Sequence, residues 1–110
     1  MTGSQVTLDG EVLRRRAEIA RYGVVSVALM LDKHVHLVGS PSIVARGVPG
    51  VDDDEAALRA VARAVVHALE RVRSWRGVDL ADELRRAARR ALLDLCGFRP
   101  VVEVHVLRDA

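Results

Sequence analysis

The hydrophobic pattern of this chain changes period at residues 47–50, and that switch restricts the folds open to it. Before the switch, Val25, Val27, Leu29 and Leu31 alternate with Val24, Ser26, Ala28 and Met30, the two-residue repeat of a strand. β-Branched residues and a length of about eight suit a strand covered on one face and partly on the other. Asp32-Lys33 turns the chain, Val35 to Val38 starts a return strand, and Gly39-Ser40-Pro41 interrupts it with a kink or bulge before Ser42 to Arg46 completes it. After the switch, Leu58, Val61, Val65, Leu69 and Val72 recur at steps of three and four, with Ala62 and Val66 widening the stripe. That repeat belongs to a long amphipathic helix, with Arg59, Arg63, His67 and Arg71 on another face.

Gly47-Val48-Pro49-Gly50 is the turn at the switch, since Pro49 fixes its own φ and Gly50 accepts a positive one. Asp52 and Glu55 have the spacing of a capping box, and the acidic run Asp52-Asp53-Asp54-Glu55 complements the positive end of the helix dipole. The helix is predicted to end near Ser74. Gly77 then breaks the chain and Asp79 caps a second helix, whose buried line is Leu80, Leu84, Ala88, Ala91 and Leu95. Asp82, Arg86, Arg90 and Asp94 form an i,i+4 charge ladder along it. Gly97 sits where a left-handed cap belongs, with Phe98 folding back on the last turn and Pro100 preventing continuation. Val102, Val104 and Val106 then mark a half-exposed closing strand.

Upstream, Met1 to Gly10 reads as a flexible lead-in or the scar of a cut through a linker. Glu11 to Arg21, with Val12, Leu13, Ala17, Ile19 and Ala20 among charges, reads as a short helix stopped by Gly23. The expected fold is α+β: a small three-stranded sheet with two helices packed on one face, in the order (short α)-β-β-α-α-β. Residues 1–22 are the linker-like lead-in and residues 23–108 the domain.

A chain of 110 residues suffices for one domain. Tyr22, Trp75 and Phe98 are its only aromatic residues, so the core must be aliphatic and bases find few rings on which to stack. The net charge of +2 coexists with a pI near 9.3 because nearly every cation is arginine, Lys33 being the only lysine. Such a balance creates no whole-domain field toward nucleic acid. A lone cysteine, Cys96, excludes an internal disulfide and suits a reducing compartment. The longest apolar run, Val24 to Leu31, is interrupted by Ser26 and too short to span a bilayer. A soluble cytoplasmic protein without a membrane segment is the expectation.

No catalytic set emerges. His34-x-His36 lacks the third ligand that zinc requires, although His105 is conceivable, and solvent-facing hairpin residues are the preferred reading. Gly47-Val48-Pro49-Gly50 spells the Gly-x-x-Gly clamp of KH domains, yet it follows a strand and Pro49 lacks an amide for a phosphate. The acidic run suits a helix start better than a magnesium site. Cys96 reads as a packed thiol without a base, and no serine lies in a nucleophile elbow. The arginines remain. Arg85, Arg86, Arg89 and Arg90, with Arg71, Arg73 and Arg76, can form a phosphate-contacting patch, or a solvated face partly neutralised by Asp82, Glu83 and Asp94.

The order Arg14-Arg15-Arg16-Ala17-Glu18-Ile19-Ala20-Arg21-Tyr22-Gly23, the strand Val24 to Leu31, a polar turn and Ser42-Ile43-Val44-Ala45-Arg46-Gly47 resembles the C-terminal domain of the ribonuclease J family. The likeness covers nearly the whole chain. Family members cut and trim RNA with two zinc ions in a metallo-β-lactamase core that carries a β-CASP insertion. Their small C-terminal domain supports dimer or tetramer assembly. The resemblance therefore implies no cofactor in this chain, zinc in a parent catalytic core, RNA met through the parent enzyme, and a homo-oligomer. None of the family's catalytic histidines and aspartates maps here. Val48-Pro49 stands where the family often has an aromatic, and Gly39-Ser40-Pro41 is extra. The assembly surface expected is the sheet face opposite the helices, with Val24, Ala28 and Met30, or the sheet edges; the alternative role is an auxiliary RNA-binding module on the arginine-rich helix.

Overall fold

The computed structural model describes residues 23–97 and 99–108. The expected lead-in and short helix at residues 1–22, and the position of Phe98, lie outside the described residues. Among those described, the elements run β1 (Val24–Leu31), β2 (Leu37–Arg46), α1 (Glu55–Val72), α2 (Leu80–Cys96) and β3 (Val101–Arg108). The three strands form one sheet in the order β2-β1-β3. β1 is antiparallel to β2 and parallel to β3. This is the α+β arrangement expected, with the strand made first in the centre.

Burial follows the alternation of β1: Val25, Val27, Leu29 and Leu31 are buried, and the intervening residues are not. Their neighbours on the inner face include Ile43 and Ala45 from β2 and Val102 and Val104 from β3. Onto this face α1 sets Ala57, Val61, Val65, Ala68 and Leu69, and α2 sets Leu84, Ala88 and Leu92. The helices pack on each other, α1 also on β2 and α2 on β3. The result is one aliphatic layer between sheet and helix pair, stabilised by about 25 cal/mol for each Å² of apolar surface removed from water. Leu95, assigned by periodicity to the buried line of α2, is instead 44% exposed in the last turn, and Leu92 takes its place in the core.

Two local assignments change for identifiable reasons. The helix cap is Asp54, whose carboxylate accepts from the Ala56 and Ala57 amides. Asp52 is not the cap: it reaches back to accept from the Gly47 and Val48 amides, both at 2.7 Å. Buried Val48 and Val51 hold that turn against the core and set the direction of Asp52. The return strand begins at Leu37, because Asp32 accepts from the His34 and His36 amides and closes a turn that extends through His36. Val35 within it has φ 64, an uncommon conformation for a β-branched residue, and its side chain packs against the core. The Gly39-Ser40-Pro41 interruption is a true irregularity, a register shift opposite β1 between Ala28 and Met30. Asp79 caps α2 and Gly97 ends it in the left-handed region, as the sequence indicates.

Candidate assembly surface and arginine face

With both helices on one side, the other side of the sheet has no covering element among the described residues. Strand register arranges it in rows. Met30 lies between Val38 and Leu107, Ala28 between Ser42 and His105, and Ser26 between Val44 and Glu103. Val24 pairs with Arg46 on β2 and with Val101 on β3. Val24 and Ala28 are half-buried by their neighbours, whereas Met30 is 39% exposed. Val38, Val44 and Leu107 are more exposed still, at 43%, 46% and 53%. Four sizeable apolar side chains on one three-stranded face are more than the scattered exposure usual on a monomer. The sequence indicated only the β1 members. Val38, Val44 and Leu107 join them through strand order, which local alternation does not reveal.

The arginines of α2 divide into two pairs. Arg85 donates to Asp82 at 2.7 Å and is only partly exposed. Arg86 contacts the other Asp82 oxygen at 3.1 Å and Glu83 at 3.4 Å. Both guanidinium groups are thereby matched to carboxylates one turn earlier on the helix. Arg89 and Arg90 are exposed and have no ion pair among the described residues; the expected Arg90–Asp94 rung of the ladder is not formed. Of these four α2 arginines only two therefore carry uncompensated charge, and charge already neutralised contributes little to phosphate binding.

The remaining candidates acquire local roles. His34 and His36 sit in the β1–β2 turn, both exposed, with ring centroids 6.3 Å apart. Among the described residues no three His, Cys, Asp or Glu side chains converge to hold a metal ion, so these residues do not fit the zinc centre that the resemblance implies for a parent enzyme. The Gly47 and Val48 amides, which a phosphate clamp would need free, are occupied by Asp52. The Cys96 thiol donates to the Leu92 carbonyl at 3.1 Å. No helix among the described residues is long and apolar enough to cross a membrane.

One group has a shifted ionisation. The His36 amide does most to hold the Asp32 carboxyl below the ordinary carboxylate range; burial opposes it, and the His34 amide, with both imidazoles when protonated, adds smaller downward effects. A depressed folded-state value means that the stabilisation is present above the unfolded-state value and is lost as pH falls through the folded one. In an NMR titration the Asp32 carboxyl should titrate below a free aspartate, and the His34 and His36 amides should shift with the same midpoint. A midpoint at or above that of free aspartate would contradict these bonds.

Comparison with known proteins agrees with this architecture. Residues 11–108 match the family described as the ribonuclease J C-terminal domain. A protein named ribonuclease J from Sinorhizobium meliloti is 32% identical over 97 residues, covering 84% of this chain and 17% of its own length. This chain thus spans about one-sixth of that relative. Since the family match takes in every element from β1 to β3, the chain belongs to the ribonuclease J C-terminal domain family.

Proposed function

We propose that this chain is the non-catalytic C-terminal domain of a ribonuclease J-like RNA-processing enzyme, and that its work is to join copies of that enzyme through the open face of the sheet. RNA and the two zinc ions are then handled by a separate catalytic core, in the cytoplasm. The observation that carries this reading is the apolar face of Met30, Val38, Val44 and Leu107, which no described element covers. Face-to-face packing of two such sheets buries aliphatic rows against each other at about 10 Å separation, as in a sandwich. A two-fold arrangement uses the same patch twice and closes.

Light scattering over a concentration series tests this directly. The mass should rise in multiples of 12.0 kDa, to a dimer or tetramer. A strictly monomeric chain at high concentration contradicts the proposal. The alternative of RNA binding by the Arg85, Arg86, Arg89 and Arg90 face draws less support, because Asp82 and Glu83 already engage two of its four members.

A further inference from the structure

Trp75 stands in the connection between α1 and α2 and is 50% exposed. Its backbone is fixed. The Trp75 amide donates to the Val72 carbonyl at 2.9 Å and the Arg73 amide to the Leu69 carbonyl at 2.8 Å, and both acceptors belong to buried residues. The indole is therefore carried just beyond the end of α1 on an ordered turn, outside the core cluster. Leaving so large an apolar surface in water is unfavourable unless something covers it.

Its neighbours indicate what does. Arg71, Arg73 and Arg76 are all exposed, and none has an ion pair among the described residues. They differ in this from Arg59, Arg85 and Arg86, each of which has a carboxylate partner. The nearby acids do not compensate them: Asp79 accepts from an amide at the start of α2, and Glu70 contacts no arginine within ion-pair range among the described residues. An indole face takes a nucleobase, and a guanidinium binds phosphate through two parallel N–H groups.

We propose that Trp75, with Arg71, Arg73 and Arg76, forms a contact site for a single-stranded polynucleotide. One unpaired base stacks on the indole and the adjoining phosphates meet the guanidinium groups. A duplex does not fit, because its bases are already stacked on one another. A protein partner fits poorly, because seating the indole in an apolar pocket would desolvate three cations that have no counter-charge among the described residues. Three aromatic residues make no extended platform, but one base needs one ring. The site does not involve the sheet face, so it stands or falls independently of assembly.

Trp75 is the only tryptophan, so its emission reports on this position alone. Titrating the full chain with a short oligouridylate at low salt should quench that emission. Binding should weaken with salt, with a logarithmic slope of about −2 for three phosphate contacts. With a labelled oligonucleotide, Trp75→Ala should lose roughly tenfold or more in affinity, while Trp75→Phe should retain part of the binding. Arg73→Ala with Arg76→Ala should weaken it further, and Arg89→Ala with Arg90→Ala should leave it nearly unchanged. The site is overturned by absent binding at low salt, by binding without any change in emission, or by equal quenching with duplex RNA. It is also overturned if only the Arg89 and Arg90 changes abolish binding, or if emission moves with protein concentration alone, which would place the indole in a protein contact.

Discussion

Replacing Gly23 by alanine should destabilise the domain by about 3 kcal/mol or more, lowering the melting temperature by roughly 15 °C. Two costs combine. Gly23 has φ 85, where an L side chain is strained, and a Cβ there would lie 2.4 Å from the carbonyl carbon and oxygen of Gly47. Those are backbone atoms at the end of β2, so no rotamer change relieves the clash. Gly23 also accepts from the Val101 amide at 3.1 Å, so the ends of all three strands meet at this one residue. Displacing it disturbs both strand pairings at once. Gly39→Ala is the control: its φ of 76 carries the same conformational strain, but nothing lies within 4 Å of the added carbon. Its cost should be about 1–2 kcal/mol, that of the left-handed conformation alone. Thermal or urea unfolding of the two variants side by side checks the difference. Equal losses would show that the close approach of β1 and β2 is not what requires glycine.

Leu84→Ala should cost about 2–5 kcal/mol, and Leu95→Ala less than about 1 kcal/mol. The two leucines belong to the same line of the helical repeat and look equivalent in the sequence. In the fold Leu84 is fully buried between α1 and the sheet, so its truncation leaves a cavity whose lining loses contacts. Leu95 lies in the last turn of α2, where truncation opens no enclosed space. Urea denaturation should show the midpoint of the first variant displaced well beyond that of the second. Similar midpoints would mean that the end of α2 is as closely packed as its middle.

That pair also shows how much could be read without coordinates. Local periods place β1, both helices and the closing strand, because an alternating or three-four repeat forces one face inward regardless of what covers it. Periodicity does not say where the covering layer stops, and so misplaces Leu95. Capping is ambiguous for a related reason. Asp52, Asp53 and Asp54 are all chemically competent, and the choice of Asp54 follows from a turn that buried Val48 and Val51 hold in place. The Gly23 and Arg46-Gly47 positions, quoted above for the family likeness, acquire a reason in the contact between β1 and β2.

The candidate surfaces were legible in part. Val24, Ala28 and Met30 share a face by alternation alone, but Val38 and Leu107 flank Met30 only because the strand order is β2-β1-β3 and β2 shifts its register. Four clustered arginines look uniform in the sequence, and side-chain geometry separates the pair held by Asp82 and Glu83 from the pair left free among the described residues. Trp75 was counted as a scarce aromatic; its exposure beside three arginines could not be read from composition.

Sedimentation velocity of the Met30→Glu, Leu107→Glu chain beside the unaltered one tests the assembly surface most directly. Two carboxylates would then lie in the row that two copies must desolvate, at positions already open to water in the single chain. The unaltered chain should sediment as a dimer or larger species, and the variant as a monomer at the same concentration with its helix and strand content intact. Identical sedimentation of the two, whether both assembled or both monomeric, would contradict the account.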